Sequence, residues 1–587
     1  MTIETIDVVV VGAGWYGLAA AKSYAQVDPD VNLVVLDAYP TLGGVWAEHL
    51  LYPGLRTNNL FGALEYPDFP MHGLGLPAKE GEHLTGEVIH AYLQLYADTF
   101  DVTRRIRFNT KVATIERIDD MFWQVTTESD SVINCNKVII ATGITSQPFI
   151  PFIPGFESLA CPIFHTRDLS EKSSEVMKTA ETVAVLGGNK SAWDTAYMFA
   201  TAGIKVNFII RSSGHGPGWM APIRVTPLKI WLEKLVTTRF LTWFSPCIWG
   251  DADGYGSIRG WLHGTRLGRW FVDRFWDVLT NDLLTLNAYD AHPKTKVLKP
   301  WFSSFWSGTS LSILNYPTNF FDLVKSDAIK IHIADINHIS AKTIHLSTGT
   351  TLETDALIFC TGWKYIPAIK FLPEGIEKDL GLPYTSTESD PLVDAADKDI
   401  LSQFPRLARQ PVINPNLRVM RGEGRVPVTP EDAKVNIHPF QLYRFIAPPT
   451  NRFDNSITFN GLMQCINTAM NAELQGLWSV AYLTGKLGEK APAGGQSSEE
   501  ERMWISVRDS RFGRWRYPGG NGSNYPDFVF DALPYFDTLL QDLGVASRRK
   551  SSLLADIFTP YSAPDYKGVL DEWLGRVGSE KPANRMY

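Results

Sequence analysis

The strongest constraint on this chain is GAGWYG at residues 12–17, set between the β-branched run DVVVVG and the alanine-rich stretch LAAAKSYAQ. A continuous apolar run of this kind is the pattern of a parallel strand buried on both faces. Three glycines divide the work of the turn. Gly12 makes it, Gly14 lets the backbone approach a pyrophosphate, and Gly17 lets helix and strand pack closely. The helix N-terminus, with Ala13, Trp15 and Tyr16 around it, offers unpaired N–H groups and partial positive charge to phosphates. The next strand, VNLVVLD, ends in Asp37, 20 residues after Gly17. A carboxylate there accepts hydrogen bonds from ribose hydroxyls and repels a 2′-phosphate. An ordinary glycine turn of an α/β protein is the alternative reading.

The stretch VAVLGGNKSAWDTA, residues 183–196, repeats this device. Gly187, Asn189 and Ala192 fall where Gly12, Gly14 and Gly17 fell, and the following strand VNFIIR ends in Arg211, 19 residues after Ala192. The two sites share a skeleton and differ in sign at the strand tip. A carboxylate suits the unphosphorylated ribose of FAD or NAD, whereas a guanidinium forks onto the 2′-phosphate of NADP. Such charge-assisted bonds are worth roughly 1.5–3 kcal/mol each, about tenfold or more in affinity. The sequence therefore predicts FAD in the first site and NADPH in the second. Asn189 places a side chain where the backbone should approach the pyrophosphate, which keeps open a flavin oxidase or binding flavoprotein with an impaired second site. Arg211 as a solvated strand-end arginine is the competing reading.

Seven motifs follow one another in order: GAGWYG, LGGVW (42–46), TNN before YPDFP (57–70), ATG (141–143), GGNKSAWD (187–194), CTGW (360–363) and AELQGLW (472–478). Over residues 6–212 and 312–487 this ordered set resembles the class B flavin-containing monooxygenases, including their Baeyer–Villiger and N-hydroxylating branches, and most resembles fungal members that tailor small metabolites. The resemblance implies an α/β fold with two Rossmann-like dinucleotide-binding domains, the NADPH domain inserted into the FAD domain. It implies flavin contacts at Val45, Trp46, Thr142, Gly143, Thr361 and Gly362, and adenine contact at the backbone of Val112. Asn58, flanked by Thr57 and Asn59, matches the family's asparagine beside the flavin, the one catalytic position carried over. Lys190, Ser191 and Asp194, with Arg211 and Ser212, match NADP-contacting positions. The implied chemistry is hydride transfer from NADPH, capture of O2 as a C4a-(hydro)peroxyflavin, and oxygen transfer to a substrate. The family fingerprint FxGxxxHxxx(F/Y or W) is broken in LACPIFHTRDL: His165 is kept, but Leu159, Cys161 and Leu169 replace the other positions. The choice between N- or S-oxidation or hydroxylation and Baeyer–Villiger oxidation of a ketone stays open at Leu169. His165 reads first as a structural linker histidine.

The 587 residues suggest more than one domain. The expected division is an FAD portion at 1–175, an NADPH portion at 176–350, a returning FAD portion at 351–490 and an extension at 491–587. Nine of the eighteen tryptophans lie between 219 and 306, within a helical aromatic-rich insertion at about 213–310. Amphipathic helices are expected at LKIWLEKLVTTRFLTWF and GRWFVDRFWDVLTNDLL. Core packing, a lid over an apolar substrate, a homodimer face and a membrane-surface contact are competing readings of this insertion. APAGGQSSEE, from 491, reads as a surface linker. A net charge of −8 gives no footprint for nucleic acid. The five cysteines are far apart, which argues against a disulfide framework, a metal knuckle or the cysteine pair that a disulfide reductase needs. With no signal peptide and no apolar run of spanning length, a cytoplasmic enzyme acting on a hydrophobic small molecule and O2 is expected.

Overall fold

Two parallel sheets organise the chain, and the polypeptide leaves the first to build the second before returning. The computed structural model describes residues 3–225, 230–418, 420, 436–488, 491 and 498–579. In the first sheet, strand Glu4–Val11 lies between Leu33–Leu36 and Val132–Ile140, parallel to both. The run of valines at 8–11 is buried from both sides, as its unbroken β-branched pattern requires. Residues 112–140 form an antiparallel meander of three strands. Strand Ile457–Phe459 then pairs in parallel with Val138–Ile140, so this sheet is completed by chain more than 300 residues downstream.

The second sheet has the order Ile329–Ile333, Lys205–Ile210, Thr182–Leu186, Leu357–Phe359, Ile163–His165, all parallel. It draws on strands at 163–165 and 357–359, so it begins before residue 176 and ends beyond residue 350. The architecture is two Rossmann-like domains, the second inserted into the first. Helix Thr468–Leu483 is buried along its whole length against helix Trp15–Val27. Gly476 permits this closeness, since a Cβ there would stand 3.1 Å from the Ala19 backbone. Glu473 on the same helix pairs with buried Lys22 and accepts from Tyr96, and Gln475 accepts from the Gly461 N–H. Both are buried among bonds within the protein.

The aromatic-rich insertion departs from expectation at its start. A single helix was expected over 228–244. Instead Ile230–Trp231 pairs with Arg224–Val225, and two short helices follow, Leu232–Val236 and Arg239–Thr242. The break falls at Thr237–Thr238, whose hydroxyls donate back to the carbonyls of Lys234 and Leu235. β-Branched residues that bond their own backbone compete with helix continuation. The second expected helix is present as Arg266–Asn287, capped by Thr265 and burying Val272, Trp276, Leu279 and Leu283 on one face. The expected linker from 491 lies largely outside the described residues. No helix among those described is long and apolar enough to cross a membrane.

The insertion and the C-terminal extension are joined by a buried charge cluster. Arg239 is fully buried; it pairs with Asp537, donates to Asp556 at 3.0 Å and reaches Tyr561. Beside it, Arg259 pairs with Asp253 at 2.7 Å. Removing one partner of such a cluster strands the others without compensation. Arg239→Met should therefore lower unfolding stability by about 3–5 kcal/mol, read as a lower urea midpoint. A midpoint equal to wild type would contradict the clamp.

Candidate active site

Both glycine turns open into one cavity of about 1770 Å³. At the first, Gly12 has φ of +108° and a Cβ there would meet the Ala141 carbonyl oxygen at 2.5 Å, so only glycine makes this turn. A Cβ on Gly17 would stand 1.8 Å from the Gly12 oxygen, which makes it the packing glycine and keeps it off the cavity wall. At Gly14 a Cβ would meet only the Gly44 backbone, at 3.4 Å. It would project into the cradle where the helix N-terminus, with no side-chain cap, presents its N–H groups. Asp37 ends its strand at the cavity, where its carboxylate accepts from the N–H groups of Ala13 at 2.6 Å and Tyr39 at 2.9 Å. Burial pushes its pKa up to about 6, against the lowering effect of the Ala13 N–H. Ala13, Trp15, Tyr16, Val45, Trp46, Val112, Thr142, Gly143, Thr361 and Gly362 line the same cavity. These residues fit a flavin dinucleotide laid across the first sheet.

At the second turn, a Cβ on Gly187 would stand 2.6 Å from the Cys360 carbonyl oxygen. Asn189 caps helix Lys190–Thr201 by its backbone position alone, and its amide oxygen lies against Gly218, where a Cβ would come within 2.7 Å. The side chain is thus taken up by the loop HGPG, whose Gly218 N–H also bonds the Gly188 carbonyl at 2.8 Å. Arg211 stands at the tip of its strand on the cavity wall, with its guanidinium donating to Ser213 and to the Arg418 carbonyl. The cradle and its cation fit a phosphorylated nicotinamide dinucleotide. Ser212, the next residue, donates its hydroxyl to Asp335 at 2.7 Å. Lys190 pairs with Asp194, and Tyr316 donates to the same carboxylate at 2.8 Å. Ser191 lines the cavity beside them.

On the wall of the same cavity, strand Arg56–Leu60 carries Asn58. Its pairing runs from Arg56 opposite Thr85 to Leu60 opposite His83, so two extra residues are accommodated in a bulge. Bulges break the ladder and re-aim a side chain; here Thr57 turns inward while Asn58 is exposed to the cavity. The bulge's backbone groups are satisfied from far along the chain. Asn315 donates to the carbonyls of Arg56 at 3.2 Å and Thr57 at 3.0 Å, while accepting from Lys190 at 2.7 Å. Glu233, in the insertion, accepts from the Asn59 side-chain amide and from the Leu60 N–H at 3.3 Å. Burial raises the Glu233 pKa to about 7, against the lowering effects of those two donors. Neither Asn315 nor Glu233 stands out in the sequence.

His165 is buried in the second sheet, accepting from the Arg167 N–H and packing edge-on against Trp363. Leu169 is equally buried. All five cysteines are free, and burial pushes the thiols of Cys360 and Cys465 on the cavity wall up to about 12.

Residues 9–240 match the sequence family described as pyridine nucleotide-disulphide oxidoreductase. The chain is 33% identical to the FAD-dependent monooxygenase resA of Aspergillus sclerotiorum, over 97% of this chain and 98% of that protein. Its fold matches cyclohexanone monooxygenase from Rhodococcus sp. Phi1 bound to NADP+, with a TM-score of 0.59 at 16% identity, covering 92% of this chain and 98% of that one. It also matches oxidized steroid monooxygenase bound to NADP, with a TM-score of 0.58 at 17% identity, covering 92% and 99%. With the paired cradles, their opposite charges and the absence of a cysteine pair, this places the chain in the class B flavin monooxygenase family, as an oxidoreductase using FAD and NADPH.

Proposed function

We propose that this monooxygenase oxygenates a hydrophobic small molecule, at nitrogen or sulfur or by hydroxylation. The observation that carries the reading is the continuity of the cavity. From the Asn58 bulge it extends between apolar walls supplied by Leu232, Val236, Leu279 and Leu283 of the insertion and by Val529 and Phe530 of the extension. Such a chamber suits an apolar ligand oriented by few polar groups. Bound FAD supplies the electron transfer from NADPH and the activation of O2. The chain's own part is to hold and shield. The turn at 12–17, Asp37, Val45, Trp46 and Val112 would hold FAD; the turn at 187–194 and Arg211 would hold NADPH. Asn58 offers a hydrogen bond at their junction, and the apolar walls exclude water from the reacting centre. Oxygen insertion beside a ketone is the second reading. It is supported by the fold shared with enzymes named cyclohexanone and steroid monooxygenase.

Under anaerobic conditions NADPH should bleach the FAD-loaded protein much faster than NADH; a flavin left oxidised by NADPH would sink the assignment. Arg211→Ala should raise KM for NADPH by about tenfold or more, the loss of one charge-assisted contact, while KM for NADH changes far less. Equal effects on both coenzymes would remove the 2′-phosphate from Arg211. Among products, sulfoxide from a thioether with no lactone from a cyclic ketone supports the first reading, and the reverse supports the second.

A further inference from the structure

We propose that Glu233, carried by the insertion, is a positioning residue that holds the Asn58 bulge at the cofactor cleft. The proposal rests on the reading that Asn58 works beside the flavin. Within the bulge, the ladder to the partner strand is interrupted between Arg56 and Leu60, so its polar groups need other partners. Asn315 takes carbonyls, those of Arg56 and Thr57. Glu233 takes donors, the Leu60 N–H and the Asn59 amide. Each satisfies what the other cannot. The two carboxylate oxygens take one donor each, and the Asn59 amide also donates to the Ile466 carbonyl at 3.1 Å.

The carboxylate is held from behind. Leu232 and Val236, on either side of it in the same short helix, are buried in the main core. The insertion thereby contributes a fixed contact to the strand that carries Asn58, besides a wall. Burial raises the Glu233 pKa to about 7, so ionisation opposes keeping the carboxyl buried, and the clamp should loosen as pH rises through that region. Lys234 on its own helix is the charged group that acts on it; His83 stands opposite Leu60 in the strand pair, with Arg56 and Lys190 near that histidine. Burial lowers the His83 imidazole from its usual range, which separates its titration from that of Glu233.

The test is amide hydrogen exchange at Leu60 in the FAD-loaded protein, corrected for intrinsic rates, at about pH 6 and about pH 8. Wild type should show stronger protection at the lower pH. Glu233→Gln, which keeps the shape but turns an amide toward Asn59, should exchange about tenfold faster at the lower pH and lose the pH dependence. Hydrogen peroxide released per NADPH consumed should rise several-fold in the same variant, with KM for NADPH little changed. Faster exchange without more peroxide would keep the clamp and discard the role of Asn58. Unchanged exchange at both pH values would overturn the proposal. Should Glu233→Gln fail to retain flavin, wild type decides alone: equal Leu60 protection at both pH values overturns it.

Discussion

Two backbone residues too many between Arg56 and Leu60 create a need for hydrogen bonds that the strand pair cannot meet, and the rest of the site is arranged around that need. A bulge in open solvent would be hydrated and mobile. This one is recruited by Asn315, which is bonded in turn to Lys190 at the head of the second cradle, and by Glu233 in the insertion. The small segment bearing Asn58 is therefore the place where three separately encoded parts of the chain meet. In an enzyme that must keep water from a reactive oxygen donor, fixing such a group by groups already satisfied costs no reorganisation at the moment of reaction.

The two cradles divide their labour by charge. The carboxylate of Asp37 braces the first turn through Ala13 and faces the cavity; the guanidinium of Arg211 stands at the matching strand tip of the second. Because both open into one cavity, a flavin and a nicotinamide can be brought together without a channel between distant sites. The aromatic-rich insertion closes the far side. Five of its tryptophans, at 219, 243, 249, 276 and 306, are buried, and its fully buried Arg239 locks it to the extension. Core packing accounts for much of its composition, and its inward face supplies chamber walls as well.

Legibility in the sequence followed the range of each interaction. The glycine turns, Asp37 and Arg211 announce themselves because turn, helix start and strand tip lie within about 25 residues and each glycine has a steric reason. Asn315 and Glu233 act across 258 and 174 positions, with no local pattern to mark them. Glu233 lay inside a stretch that reads as a long amphipathic helix, where a charge is ordinarily solvated. The break at Thr237–Thr238 is what leaves the short helix ending the chamber wall. Ser212 rests on family position alone, and its bond to Asp335, 123 positions away, has no local pattern to mark it either. The strands at 163–165 and 357–359 carry too little pattern to reveal which sheet they join; only pairing decides it.

The most direct test of this account is a crystal structure of the protein with FAD and NADP+ bound. The account predicts the isoalloxazine and nicotinamide rings side by side at the Asn58 bulge, with the 2′-phosphate on the Arg211 guanidinium. Rings lodged away from that bulge, or a 2′-phosphate with no contact to Arg211, would contradict it.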